Sequence, residues 1–258
     1  ESNAMTVESL GLKDVIIKGK KAKMVDMSKA FNANVSDIFR NNYVSPRPSS
    51  TTLQIPTQGI GEWCHGTYCP EINDSVCRSL AVGDRFDVEG IPFATPQHGK
   101  NIAFVSLWDN YPSALTIPVK AQKASVAHIL LAGSTNHMQT HMDNAIIIAN
   151  YKDGTSDTLH LIPPFNYCPI EQDFYVDGKA FQTVEPRPVR ICLATGTVSR
   201  NLGTALSIQS DEVYGREIPG GAAQLLSMPL SPSKKLHSFT LIPLSNDIVV
   251  GIMGITLR

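Results

Sequence analysis

The chain has 258 residues, of which 42% are hydrophobic and 17% are charged, and its formal net charge is -1. That composition is typical of a globular protein with a large core, and the near-neutral charge argues against nucleic acid as a partner. The longest apolar runs, such as 145-AIIIA-149, are far shorter than the roughly 18 residues of a membrane span. We therefore expect a globular protein with no membrane span and no nucleic-acid partner.

The amino end carries little information about location. Residues 1–4, ESNA, resemble the remnant of an expression tag, and no secretory signal follows them.

The chain shows no low-complexity linker and no repeat of fixed period. We therefore expect a single β-sandwich domain over residues 5–258.

One early segment has the pattern of a helix. The stretch 36-SDIFRNNY-43 begins with Ser36 as a potential N-cap and Asp37 in the first turn, and it must end before Pro46. Few other stretches have helical periodicity. We expect helix to be limited to short pieces near residues 28–42.

Most other segments are short, β-branched and apolar, and the 18 glycines and 17 prolines separate them. The predicted strands are 14-DVIIK-18, 51-TTLQIP-56, 101-NIAFVSL-107, 114-ALTIPV-119, 125-SVAHILLA-132 and 189-VRICLAT-195. Strands at this spacing are typical of sandwiches and barrels. The predicted fold class is an all-β antiparallel sandwich with long loops and one or two short helices.

A hairpin is predicted around Asp153-Gly154, because these residues tolerate the positive φ of a two-residue turn. When residues are counted outward from this turn, Ile148 pairs with Leu159 and Ile146 pairs with Leu161. The face of the hairpin that carries these apolar residues should be buried. His160 should lie on the less buried face, opposite Ile147.

A second hairpin is predicted at the end of the chain. In 236-LHSFTLIPL-244 apolar and polar residues alternate, and the turn Ser245-Asn246-Asp247 follows. The last strand, 248-IVVGIMGITL-257, is apolar on both faces, so we expect it to be central in its sheet.

The cysteines are odd in number, so complete internal pairing is impossible. They are Cys64, Cys69, Cys77, Cys168 and Cys192. The C-x4-C-x7-C spacing of the first three, with His65 beside Cys64, lacks the tight CxxC pairs of structural zinc sites. We expect free cysteines and no zinc, and a local disulfide remains an alternative.

Several stretches resemble the galactose-binding-type jelly-roll modules attached to bacterial glycoside hydrolases. They are 24-MVDMSKAFN-32, 82-VGDRFDVEGIPFAT-95, 101-NIAFVSLWDNYPSALTIPV-119, 125-SVAHILLAGST-135 with the following NAIIIANYKDG, and the terminal pair KLHSFTLIPL and DIVVGIMGITL. The chain also resembles the carboxy-terminal region of secreted glycosidase-like proteins of gut polysaccharide-degrading bacteria. It departs from a simple module in two long inserts, 56–75 and 163–190.

The resemblance implies a galactose-binding-like jelly roll, secreted or periplasmic, that serves a polysaccharide-degrading system. It would bind carbohydrate or pack against a catalytic domain of the same protein. Two alternatives stay open: a glycoside hydrolase acting through loop carboxylates, and a purely structural interdomain module. Sequence alone does not name the glycan.

Two loops have the residue types that sugar recognition needs, namely aromatic rings with planar polar groups beside them. The candidate ligand-binding residues are Trp108, Asp109, Asn110, Tyr111, His137, Gln139 and His141, with Trp63 in the first insert. Because 101–107 and 125–132 are alternate forward strands, both loops should lie at one end of the sandwich. We expect no metal, since the spacing of His137 and His141 lacks the glutamate of HExxH.

A catalytic alternative would need two carboxylates facing each other across a glycosidic bond. The candidates are Glu62, Glu71, Asp74, Glu171 and Asp173. The chain has no GxSxG, no P-loop and no GxGxxG after a strand. We therefore expect no cofactor.

Overall fold

The computed structural model describes residues 5–15, 19, 21–40, 70–107, 110–135, 139–174, 178–179, 181–208, 217–246 and 248–258. Within these residues thirteen β-strands form three sheets. All ten pairings between these strands are antiparallel. The predicted all-β sandwich is therefore confirmed, and the architecture is compatible with a jelly roll.

The larger sheet contains seven of the described strands. They are β1 (Lys23–Met24), β4 (Ala103–Ser106), β6 (Val126–Ser134), β9 (Val189–Cys192), β10 (Val198–Ser199), β11 (Ala222–Pro229) and β13 (Val249–Leu257). The order is β1-β13-β6-β11-β9-β10, and β4 also pairs with β13. The last strand is thus central, as predicted.

The smaller sheet contains four of the described strands. They are β5 (Leu115–Gln122), β7 (Ala145–Tyr151), β8 (Ser156–Leu161) and β12 (Leu236–Pro243), in the order β5-β12-β7-β8. In β7 buried and half-buried residues alternate, as expected for a sheet with only one face on the core. Ile117, Ile147 and Phe239 point from this sheet into the sandwich core.

Short elements cover the other face of the larger sheet. They are the hairpin β2 (Arg85–Val88) and β3 (Ile91–Ala94), a 3-10 turn at Val35–Asp37, and helix α1 (Ser75–Leu80). A further short helix, α2 (Leu202–Ala205), follows β10. The larger sheet is therefore a middle layer, with an apolar cluster on each of its faces.

This position explains the sequence of β6, which is buried at all nine residues. Ala127, Ile129 and Leu131 face the sandwich core. Leu130 and Ala132 face the second apolar cluster. A strand covered on both faces needs a continuous apolar run rather than alternation.

The helix expected over 36–43 is shorter than predicted. A 3-10 turn at Val35–Asp37 follows Asn34, so Ser36 is not the N-cap. The N–H of Val35 donates to Asn101 Oδ1 at 2.9 Å, which satisfies a backbone donor at the buried start of the turn. Residues 41–43 lie outside the described part. The restriction of helix to residues near 28–42 was also wrong, because α1 and α2 lie further along the chain.

The hairpin β7–β8 exists, but its predicted register was wrong by one residue. Ile147 lies opposite Leu159, and Ala145 lies opposite Leu161. The loop has three residues, 152–154, because Tyr151 N–H donates to the carbonyl of Thr155 at 3.0 Å. The predicted burial of Leu159 and Leu161 and the exposure of His160 hold, whereas Ile146 and Ile148 are only half-buried.

The predicted terminal hairpin was also wrong. Strand β12 pairs with β5 and β7 in the smaller sheet, while β13 pairs with β6, β4 and β1 in the larger one. The two strands are therefore in different layers. The sequences differ accordingly, since β12 largely alternates, whereas β13 is apolar except for Thr256 and is buried at every residue.

The predicted strands 101–107, 114–119, 125–132 and 189–195 correspond to β4, β5, β6 and β9. The stretch 51–56 and most of 14–18 lie outside the described residues, and Asp14 and Val15 belong to no strand. No helix in the described part of the chain is long and apolar enough to cross a membrane.

Candidate functional site

The two predicted loops begin at the same end of the larger sheet. Ser106, the last residue of β4, and Ser134, the last residue of β6, both pair with Val249 on opposite edges of β13. The Ser106 hydroxyl donates to the carbonyl of Ile248 at 2.8 Å. The strand ends from which the two loops leave therefore lie at the same end, as predicted. Trp63, Trp108, Asp109 and His137 lie outside the described residues.

In the first loop, Tyr111 is the aromatic residue that the structure describes, and its ring packs against the protein core. The ring of Tyr111 lies against Phe104, with 5.2 Å between ring centroids and a tilt of 54°. Phe104 is fully buried, and Tyr111 packs on the second apolar cluster. Asn110 beside it is half-buried. Tyr111 therefore holds the loop on the core rather than offering a free ring face to a ligand.

The second loop is held by Asn144, which is fully buried. Its amide donates to the carbonyls of Gln139 at 3.0 Å and Met142 at 3.2 Å, and its oxygen accepts from Thr135 Oγ1. Gln139 Nε2 in turn donates to the carbonyl of Asn246 at 2.7 Å. Gln139 thus ties the loop to the connection between β12 and β13.

His141 lies exposed on this loop with a backbone φ of +57°. The backbone N–H of His141 donates to the carbonyl of Pro163 at 2.7 Å, and this bond continues the pairing of β7 and β8 beyond the strand ends. Its ring is stacked on Phe165, with 5.1 Å between centroids and an angle of 11°. The contact creates a flat, partly exposed pair of rings.

An acid–imidazole pair lies on the same extension of the hairpin. Asp143 Oδ2 is 3.0 Å from His160 Nδ1, and both side chains are partly exposed. The backbone between them is fixed, since Asn144 N–H donates to the carbonyl of Leu161 at 2.9 Å. Both groups are planar and can exchange hydrogen bonds with hydroxyl groups.

Phe165 and His160 were not among the site residues predicted from the sequence. The signal that could have found them is the antiparallel register itself. If the β7–β8 pairing is extended past Leu161, residues 163–165 fall beside 141–143. The long insert after β8 thus begins as part of the site.

The described residues contain no group of three or more His, Cys, Asp or Glu side chains placed to hold a metal ion. Cys77, Cys168 and Cys192 are buried thiols. Burial, together with the nearby Asp74, raises the pKa of the Cys77 thiol to about 12. Cys64, His65 and Cys69 lie outside the described residues, so the predicted absence of zinc stays a prediction.

Three of the candidate carboxylates are buried. Asp74 accepts from Arg78 Nε at 3.0 Å and from Asn101 Nδ2 at 2.7 Å, and it is 6% exposed. Asp173 Oδ2 accepts the N–H of Gly203 at 2.7 Å, and Oδ1 is 3.9 Å from Arg190 Nη1. These contacts tie loops and helix ends to the core.

Glu171 is 6% exposed, and burial raises its pKa to about 7. Glu71 is by contrast largely exposed, 3.8 Å from Arg40. Glu62 lies outside the described residues. A polysaccharide at the surface would therefore reach Glu71 but not Asp74, Glu171 or Asp173 in this conformation.

Comparison with known families and with curated proteins found no family model and no curated protein that matches the chain. The likeness to galactose-binding jelly rolls is supported at the level of the antiparallel β-sandwich architecture.

Proposed function

We propose that the protein is a non-catalytic accessory domain that binds carbohydrate through the surface around His141. The observation that carries this proposal is the exposed His141 ring, stacked on Phe165 beside the Asp143–His160 pair. A pyranose needs a flat face for its C–H groups and planar polar groups for its hydroxyls. The ring pair supplies the first, and the carboxylate and imidazole supply the second.

The same proposal includes the setting that the sequence resemblance implies. The domain would be secreted or periplasmic and would serve a polysaccharide-degrading system, with a catalytic domain as a further partner. Trp108, Asp109 and His137 remain proposed contributors to the sugar site. Their loops start from strand ends that flank the same residue of β13.

A glycan-array screen of the protein, followed by affinity measurements on the best ligand, tests the proposal. We expect His141→Ala and Asp143→Asn each to weaken binding about two- to tenfold, because one hydrogen bond or ring contact contributes about 0.5–1.5 kcal/mol. His98→Ala is the matched control, since His98 is an exposed histidine in the loop between β3 and β4. Unchanged affinity in both site variants, or no bound glycan, would contradict the proposal.

The second candidate function is a structural interdomain module. It is favoured by three large apolar side chains exposed near this end: Leu107 (44%), Met142 (48%) and Leu244 (46%). Large exposed apolar patches mark surfaces that a neighbour covers, and these three side chains would contribute to such a patch. A screen without bound glycans, together with self-association that Leu244→Ser abolishes in sedimentation velocity, would favour this candidate.

The hydrolase alternative receives less support from the geometry. Its best carboxylate pairing would combine a protonated acid with an ionised partner, as in lysozyme. Glu171 has the raised pKa of such an acid, but its side chain is buried in the protein, where a glycan would not reach it. A hydrolysis assay on each glycan that binds would test this alternative directly.

A further inference from the structure

A cavity of about 310 Å³ lies on the second face of the larger sheet, at the end opposite the His141 surface. Its floor is made by side chains of β6 and β11. Its walls come from the segment 11–15, the turn between β2 and β3, and the chain after β10. The polar and charged side chains of the lining include His128, Ser227, Arg258, Arg200, Lys13 and Glu89.

Two buried polar atoms at this cavity have no hydrogen-bond partner among the described residues. One is Nε2 of His128, a residue that is 2% exposed, and the other is Nε of Arg258. The other nitrogen of His128, Nδ1, is 2.8 Å from the Ser227 hydroxyl. A buried polar group without a partner destabilises the protein, because it has lost its hydrogen bonds to water without replacing them. A ligand that supplies acceptors would remove this cost.

The charges around the cavity favour an anion. The guanidinium groups of Arg258 and Arg200 and the ammonium of Lys13 are donors without acceptor capacity. Arg200 is neutralised by its ion pair with Asp14, and Arg258 Nη2 donates to the carbonyl of Gly90 at 3.4 Å. Glu89, exposed on the turn, is the other carboxylate in the lining. Of the two unpartnered atoms, Arg258 Nε is a donor, and His128 Nε2 is a donor when Nδ1 accepts from the Ser227 hydroxyl.

A neighbouring depression strengthens the positive potential. It shares Arg258 with the cavity, and its lining includes Lys21, Lys23 and Lys123. Clustered cations raise the local concentration of anions around a site. Because the net charge of the whole chain is -1, these cations are a local feature rather than a property of the molecule.

We propose that this cavity is a binding site for an oxyanion group, held by Arg258 and by the Nε2 atom of His128. The group is the carboxylate, sulfate or phosphate of a small molecule or of an acidic sugar residue. Charge-assisted hydrogen bonds from a guanidinium are the strongest that this lining offers. The site does not depend on the proposed carbohydrate surface around His141, which lies at the other end of the sheet.

The imidazole of His128 reports occupancy. Burial, and then the charge of Arg258, lowers its pKa to about 4, so the ring is neutral near pH 7 in the empty site. An anion beside it favours the protonated ring and raises this pKa. Binding should therefore take up protons and tighten as the pH falls towards 5. Because the charged residues Lys13, Asp14, Glu89, Arg200 and Arg258 also line the cavity, the readout is the His128 resonance itself.

The experiment titrates the ¹⁵N-histidine-labelled protein with sodium sulfate, inorganic phosphate and D-glucuronate, with D-glucose as the neutral match. We expect saturable shifts of the His128 ring with at least one oxyanion and none with glucose. The preferred oxyanion distinguishes a carboxylated sugar from a sulfate or phosphate group. Arg258→Gln should weaken binding roughly tenfold or more, since bonds to charged groups are worth about 1.5–3 kcal/mol.

Arg85→Gln is the matched control, because Arg85 is an exposed arginine that pairs with Asp87 and does not line the cavity. Thermal melts of both variants establish that they fold. The proposal is overturned if no oxyanion shifts the His128 resonance saturably in the unmodified protein. It is equally overturned if folded Arg258→Gln binds as tightly as Arg85→Gln, or if glucose binds as well as glucuronate.

Discussion

Glu171 is a buried acid whose ionisation opposes folding. Burial raises its pKa from 4.5 to about 7, although the positive charge of Arg190 acts in the other direction. Its Oε2 atom has no hydrogen-bond partner among the described residues. The folded state therefore prefers the protonated form, while the unfolded chain ionises near pH 4.5. The resulting stability is full below pH 4.5 and is lost as the pH rises through about 7.

We predict that Glu171→Gln stabilises the protein at pH 8 by about 1–3 kcal/mol, because a shift of this size corresponds to roughly 3 kcal/mol. The gain should vanish near pH 4.5, where the native carboxyl is already neutral. Urea unfolding at the two pH values measures the difference. Glu71→Gln, at a largely exposed carboxylate, should change neither value. A variant that is less stable than the native chain at pH 8 would show that the ionised form of Glu171 is needed.

Among the elements, the β7–β8 hairpin depends on one backbone conformation. Gly154 has a φ of +85°, and its N–H donates to the carbonyl of Tyr151 at 3.1 Å. The Asp153 carboxylate closes the loop by accepting from the N–H of Thr155 at 2.9 Å. A Cβ at residue 154 would meet nothing within 4 Å. The cost of a side chain there is therefore conformational and not steric.

We predict that Gly154→Ala lowers the free energy of unfolding by about 1–2 kcal/mol, the cost of the left-handed region for an ordinary residue. Gly154→Asn should lower the free energy of unfolding by a smaller amount, because asparagine tolerates the left-handed region. Lys152→Ala in the same loop should have little effect. Chemical denaturation of the three variants measures their free energies of unfolding and so gives their order of stability. Equal stability of the Ala and Gly forms would mean that the loop adopts another turn.

This hairpin also shows where sequence reasoning was limited. Because Ile146, Ile147 and Ile148 are identical in kind, alternation in β7 could not identify the inward face. The predicted two-residue turn decided the register, and the three-residue loop shifted it by one. The burial of Leu159 and Leu161 was predictable, since polar residues separate them in β8.

The terminal strands show a second limit. Hairpins were inferred from proximity in sequence, yet β12 and β13 belong to different layers. The difference between an alternating and an entirely apolar strand was visible, and it reports whether one face or two are covered. At the candidate site, strand order placed the two loops at one end. The stack of His141 on Phe165 was not predictable, because it depends on the exact register of the hairpin.

At the scale of the whole molecule, the larger sheet separates two apolar clusters. Adjacent residues of β6 contribute to different clusters: Leu131 faces the sandwich core and Leu130 the second cluster. Both side chains are at most 2% exposed. Since one strand serves both clusters, the loss of either should weaken the sheet on which the other depends. A single domain over residues 5–258 was predicted from the sequence, and a single domain of this kind should unfold cooperatively.

We predict that Leu130→Ala and Leu131→Ala each lower the free energy of unfolding by about 2–5 kcal/mol, the usual cost of such a core truncation. Each variant should still unfold in a single transition, and that transition should be shifted. Calorimetry and denaturant unfolding followed by two spectroscopic probes measure this. Val82→Ala, at a position that is 80% exposed, is the control and should leave the midpoint unchanged. If Leu130→Ala instead splits the unfolding into two steps and moves only one of them, the covering layer of β2, β3 and α1 unfolds independently. The middle sheet would then be a boundary between two folding units rather than the shared core of one.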